Sequence, residues 1–324
     1  MIIPLTSLRG LAALAVVGFH FAPLMAGIPI FNRGFLGVDL FFLLSGFILA
    51  NVYGKEMNVR SFFVARFART YPLHLFILAM LLPWFGRAPE YSADSLLCNL
   101  TMTQVVCGGP LSWNSVSWSL SAEWISYLLF PILLRPVLSC PRWVAGVLVL
   151  GCAGIIIAIS PITRFDIYRM GALYRSLPEF LAGMILYRAY CDKWLAHWGY
   201  FVGAIVVLVS ALAAHAPDIL VVSAFAALIL ASPYVRPMKH KALSFLGDIS
   251  YSLYMVHLLI GIFVVKAMTA IGISDDLATA GIGIGASVLF AVVTYRYVEV
   301  PARAAIRTWM TARAPALPKE FPGH

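Results

Sequence analysis

Charged side chains are scarce in this chain: they make up 11% of 324 residues, and Asp and Glu together supply only 14. A soluble domain draws about a quarter of its residues from the four charged types, so this deficit excludes an ordinary water-soluble enzyme. The five cysteines, Cys98, Cys107, Cys140, Cys152 and Cys191, lack metal-ligand spacing, which removes a cysteine-built metal centre. No internal repeat is visible, which weighs against a transporter made of two similar halves. The net charge of +9 reads mostly as orientation signal and phospholipid contact, with no nucleic-acid signature to compete with it.

Apolar residues fill the place of the missing charge. They account for 61% of the chain and the mean hydropathy is +0.89, values of a polytopic membrane protein. The pattern predicts an all-α integral membrane protein with about ten transmembrane helices at 5–26, 35–53, 71–85, 119–138, 143–160, 178–191, 198–215, 218–232, 245–266 and 278–298. The first stretch carries His20 and is followed by many others, so it reads as a retained span and not a cleaved signal. Asp94, Asn99 and Gln104 make 93–107 a poor span and a better interfacial or re-entrant piece. With both termini cytoplasmic, sixteen Lys and Arg fall inside and six outside, with Arg9 in the first span; this bias is what the positive-inside rule requires. The six are Arg33, Arg87, Arg164, Arg169, Arg175 and Lys266. Residues 1–298 form one membrane domain; 299–324 form a cytoplasmic tail, first basic and amphipathic (ARAAIRTWMTAR), then Pro-rich and disordered. Cys98 and Cys107 share the outer segment 86–118, where an oxidising compartment permits a disulfide; two buried free thiols are the alternative.

Within this apolar background the ionisable residues stand out. Arg9 and His20 are eleven positions apart in the first span, which brings both side chains to within about 20° of one helical face and about 16 Å apart along the axis. Ionisable groups inside a span are costly and usually serve a pathway or a reaction; interfacial placement of Arg9 and a core role for His20 is the plain alternative. Helix rise puts His20, Asp39, Glu123 and His257 at similar depth on four helices. Asp39 and Glu123 also suit helix-start positions. Ser250, Tyr254 and His257 fall on one face, an arrangement that also serves as inter-helix glue. Arg66 and Arg69, three apart just before Pro72, form a cytoplasmic pair able to hold phosphate through forked hydrogen bonds. Arg9 extends that pair toward His20. Ordinary positive-inside placement is the competing account.

These segments resemble the acyltransferase 3 family of membrane enzymes that acylate carbohydrates and other acceptors. LRGLAALAVVGFHF carries the family's basic residue, ten intervening positions and histidine, and GFLGVDLFFLLSGFIL resembles its second helix. FFVARFARTYPLH is similar to its Arg-x-x-Arg loop, SWSLSAEWISYLLFP to its Glu-bearing helix, LPEFLAGMILY to a later span and LGDISYSLYMVH to its Ser-Tyr-x-x-Tyr-x-x-His-like motif; YVEVPAR also fits. Thr70 departs from the aliphatic residue that usually follows the second arginine.

The resemblance implies a multi-pass protein of the bacterial inner membrane that moves an acyl group, commonly acetyl, from cytoplasmic acyl-CoA to a hydroxyl acceptor on the outer side, without a metal. Arg66 and Arg69 then hold the CoA phosphates and the pantetheine arm passes Arg9. His20 acts as general base, or carries the acyl group covalently. Glu123 or Asp39 orients the imidazole, and Tyr254 or His257 donates to the oxyanion. One chain supplies the whole site. A proton-coupled transporter using the same His, Glu and Asp as a relay is the alternative from another class.

Overall fold

The computed structural model describes residues 2–25, 29–107, 112–160, 171–273 and 275–311. Arg164, Arg169, Arg313, Lys319 and the Pro-rich end 314–324 lie outside the described residues. The described residues fold into helices and connecting turns: α1 (Ile3–Phe21), α2 (Gly37–Tyr53), α3 (Val59–Leu81), α4 (Ala93–Leu100), α5 (Gln104–Cys107), α6 (Trp118–Ser139), α7 (Arg142–Ile159), α8 (Gly171–Cys191), α9 (Trp198–Ala213), α10 (Asp218–Ala231), α11 (Lys241–Asp248), α12 (Ser250–Ala270), α13 (Asp276–Thr294) and α14 (Val300–Thr311).

Among the described residues six helical stretches are long and apolar enough to cross a membrane: Ile3–Leu24, Phe31–Tyr53, Ser115–Ser139, Arg142–Ile159, Ser250–Ala270 and Asp276–Met310. By length and composition of these helices the chain is a multi-pass membrane protein. Each of the ten expected spans coincides with a helix, but α9 and the stretch Asp218–Tyr234 are apolar and short. The helices α3 and α8 carry Arg60, Arg66 and Arg69, and Arg175, Glu179 and Arg188 respectively. Four expected spans therefore lack the length or hydropathy of an independent crossing.

Several boundaries differ for identifiable reasons. The third span does not begin at Pro72: α3 runs unbroken from Val59, so Arg66 and Arg69 lie inside a long helix. Pro72 removes one backbone hydrogen bond, to the carbonyl four residues earlier, a loss that packed membrane helices tolerate. The expected span 245–266 is split at Ile249 into α11 and α12. The last span passes through a π-turn, Tyr295–Glu299, directly into α14. The segment 93–107 forms the two short helices α4 and α5, joined by a Cys98–Cys107 disulfide.

The helix α1 is central, packing against α2, α11 and α12. In lipid there is no hydrophobic gain from bringing two apolar helices together, so small residues and polar bonds decide how they pack. The α2–α8 contact shows this. A Cβ at Gly46 would come 2.0 Å from the Phe180 carbonyl oxygen, and one at Gly183 would come 2.1 Å from that of Leu43. Two backbones approach this closely only where both side chains are absent. In α13, Gly283 lies against the Phe21 ring, whereas among the described residues nothing lies within 4 Å of a Cβ at Gly281 or Gly285.

Candidate active site

The axial register of α1 places Arg9 and His20 on one side of the helix, and α12 brings His257 to the second of them. The ring centroids of His20 and His257 are 4.8 Å apart, with His257 Nε2 3.2 Å from His20 Nδ1. His257 is fully buried, and His20 is half-buried. The surrounding carbonyls fix which nitrogens hold protons. His257 Nδ1 lies 2.7 Å from the Tyr254 carbonyl oxygen and 3.2 Å from that of Leu253, and only an N–H satisfies such partners. Its Nε2 is then an acceptor. His20 Nδ1, 2.9 Å from the Val16 carbonyl oxygen, is likewise a donor, shared between that carbonyl and His257 Nε2. The lone pair of neutral His20 is left on Nε2.

Of the four titratable groups expected at one depth, the structure joins only these two. Asp39 accepts from Arg175, Nε to Oδ1 at 2.6 Å and Nη2 to Oδ2 at 2.5 Å. Arg175 also reaches Asp218 at 3.3 Å, and Asp218 pairs with Arg33. Glu179 completes the group, 3.7 Å from Arg175 Nε. Asp39, Arg175 and Glu179 are all buried, and burial of a charge requires this kind of partnering. Arg175, expected in an outer loop, is therefore part of α8. Both Asp39 oxygens are engaged by Arg175, so this carboxylate does not orient His20. Glu123 does not reach it either: Ser45 Oγ donates to Glu123 Oε1 at 2.8 Å, and the residue faces the arginines described next.

Arg9 of α1, Arg66 and Arg69 of α3 and Glu123 of α6 come close enough to interact electrostatically, together with Tyr127, whose ring lies under Arg66 at 5.9 Å. Arg66 and Arg69 are spaced three apart on α3 and both face Tyr127. Among the described residues no carboxylate lies within salt-bridge distance of Arg9, Arg66 or Arg69, and Arg66 Nε is buried without a hydrogen-bond partner. Asp248, at the end of α11, is half-buried; burial pushes its carboxyl up while Arg69, Arg9 and Arg303 pull it down.

Tyr254 is committed to the turn before α6. Its hydroxyl lies 3.0 Å from the Val116 carbonyl oxygen, to which it donates, and 2.8 Å from Ser119 Oγ. Ser250 Oγ donates to the Gly247 carbonyl oxygen and so serves the α11–α12 corner. The segment from α4 to the turn before α6 packs beside this face: Asn114 Nδ2 donates to the Met255 carbonyl oxygen at 2.8 Å, and Gln104 donates to Asn99 and Ser117. Among the described residues no group of three or more His, Cys, Asp and Glu side chains is placed to hold a metal ion.

Sequence reasoning missed Arg303 and Glu299 as members of the arginine cluster, and the Asp39–Arg175–Asp218–Arg33 network as a whole. The signal for the first was the i, i+4 pair within YVEVPAR, which places both side chains on one helical face. For the second, Arg175 and Glu179 share the same spacing at the start of a span.

An acyltransferase family description, "Acyltransferase domain", matches residues 5–296. The chain belongs to the acyltransferase 3 family. It is 37% identical over 155 residues to Acyltransferase MdmB of Streptomyces mycarofaciens, covering 42% of this chain and 40% of that protein. It is 42% identical over 86 residues to Protein 2 in picA locus of Rhizobium radiobacter, 25% of this chain and 44% of the relative. It is 34% identical over 71 residues to Peptidoglycan O-acetyltransferase OatA of Listeria monocytogenes, 20% of this chain and 11% of the relative. The matched stretches thus span less than half of these relatives. No solved structure matches the chain.

Proposed function

We propose that this membrane protein transfers an acyl group, acetyl in the first instance, from cytoplasmic acyl-CoA to a hydroxyl of a carbohydrate or similar acceptor on the outer side. The observation that carries the reading is the pairing of a histidine bearing a free basic nitrogen with a cluster of arginines that lack ion-pair partners, both reached along α1. Arg66 and Arg69 bind the CoA phosphates, and Arg9 accompanies the pantetheine arm. His20 Nε2 takes the proton of the acceptor hydroxyl as its oxygen attacks the thioester carbon. CoA leaves as the thiolate, which is protonated on release.

The imidazolium formed on His20 keeps its Nδ1–H on His257 Nε2 and the Val16 carbonyl. His257 therefore takes the orienting part expected of Glu123 or Asp39: it fixes the tautomer as a carboxylate does in a hydrolase triad. With Nε2 as an acceptor, neutral His257 has no proton to offer an oxyanion. Tyr254 serves that purpose only by leaving the Val116 carbonyl. Acetylated polysaccharide and peptidoglycan are the acceptor classes to examine first, the latter because a relative is named for it.

The test is acceptor-dependent release of CoA thiol from acetyl-CoA by protein in proteoliposomes, with peptidoglycan, polysaccharide and lipid fractions supplied in turn. We expect release with one fraction in the wild type and none above background in His20→Ala. Equal release by both proteins would overturn the role of His20, and no release from acetyl-, succinyl- or longer acyl-CoA would overturn the donor.

A further inference from the structure

The last helix does not simply rest on the membrane surface: α14 packs along α3, the helix that carries Arg66 and Arg69. It is delivered there by the π-turn Tyr295–Glu299, a local widening that turns the following residues and recurs at functional sites. The turn sends Glu299 inward, where it is 1% exposed. Ser252 Oγ donates to Glu299 Oε2 at 2.9 Å, and Arg303 Nη2 donates to Oε1. Both carboxylate oxygens are thus committed, one to a neighbouring span and one to Arg303. A buried carboxylate anchored in this way holds a guanidinium in a fixed direction. Arg303 Nε is nonetheless buried without a hydrogen-bond partner among the described residues. Its side chain keeps 24% of its surface exposed.

Arg303 also faces like charge. Arg69 is close enough to repel it, and Asp248 is the further carboxylate within reach of both. Arg303 thus joins the cluster of Arg9 and Arg69: Arg69 is within electrostatic reach of both, and Asp248 is within reach of all three. Coenzyme A has its own fixed order, from thioester through pantetheine and diphosphate to the 3′-phosphate on the ribose. With the thioester at His20 and the diphosphate at Arg66 and Arg69, the remaining phosphate is left to Arg303, the anchored guanidinium on the helix packed against α3.

We propose that Arg303, held by Glu299, binds the ribose 3′-phosphate of the acyl-CoA donor, with Glu299 as its positioning residue. This assignment rests on the acyl-CoA reading above and extends it to how the protein distinguishes CoA from shorter pantetheine thioesters.

The experiment is calorimetric titration of the detergent-purified full chain with CoA and with 3′-dephospho-CoA. The wild type is expected to prefer CoA by about tenfold, equivalent to ~1.4 kcal/mol. Arg303→Ala should erase the preference while binding 3′-dephospho-CoA as the wild type does, a result that also shows the variant is folded. Glu299→Gln should lose part of the preference. Should Arg303→Ala fail to fold, Arg303→Lys keeps the charge opposite Glu299 but not the fork, and should cut the preference several-fold. A preference unchanged in these variants, or an equal loss of affinity for both ligands, would overturn the assignment. The two levels separate in the wild type: failure to bind either ligand removes the acyl-CoA reading, whereas equal binding of both removes only the role of Arg303.

Discussion

Two regions of this protein hold similar sets of ionisable side chains and treat them in opposite ways. Around Arg175, every cation meets an anion: Asp39 and Asp218 bind it directly, Glu179 lies beside it and Arg33 closes on Asp218. Around Arg69, the arginines outnumber their partners, and Arg9, Arg66 and Arg69 make no salt bridge among the described residues. The first region is closed and ties α2, α8, α10 and the 29–36 segment together. The second is electrostatically incomplete, which is the observation on which the proposed binding of an anionic donor rests. Charge inside a membrane protein is therefore informative through what it lacks, more than through where it occurs.

Breaking each region in turn should give different kinds of damage. The largest effect is expected at the proposed base: His20→Ala should lower the rate of acyl transfer by about 10²–10⁴-fold, measured as CoA release, with thermal stability unchanged. Next is the closed region. Arg175→Met leaves Asp39 buried and unpaired, a cost of about 3–5 kcal/mol, and should appear as loss of folded protein by size-exclusion chromatography. The double variant Asp39→Asn/Arg175→Met should recover most of that loss, since burying neither charge is far less costly than burying one. Arg66→Ala and Arg69→Ala should each weaken acetyl-CoA binding by roughly ten- to a hundredfold, the worth of a charge-assisted contact, without lowering the melting temperature. The smallest effect sharpens the contrast: Arg142 and Asp192 form an exposed pair, and Arg142→Ala should leave both melting temperature and activity where they were.

How much of this was legible in the sequence follows from geometry. Arg9 and His20, and likewise Arg66 and Arg69, sit on single helices, where fixed rotation per residue relates their side chains without knowledge of any neighbour. The helical class, the family and the non-spanning segment 93–107 were readable for similar local reasons. An expected depth along a span fixes at most one coordinate of three. Asp39, Glu123 and His257 were expected at the depth of His20, yet Glu123 lies by Arg9 and Arg66, and of the three only His257 meets His20. Which way a helix faces is set by contacts such as Gly46 against Phe180 and Gly183 against Leu43, between residues far apart in sequence. The same limit hid the bond between Arg175 and Asp39, 136 positions apart. Arg303 was hidden differently, because the π-turn before it alters the register that a regular helix would have given.

The central claim is that the open arginine cluster binds the donor while His20 performs the chemistry. Calorimetric titration of acetyl-CoA into purified wild type, His20→Ala and Arg66→Ala/Arg69→Ala tests it most directly. The account predicts equal affinity in the wild type and His20→Ala, and binding lost in the double arginine variant. Unchanged binding in a folded Arg66→Ala/Arg69→Ala protein would contradict it.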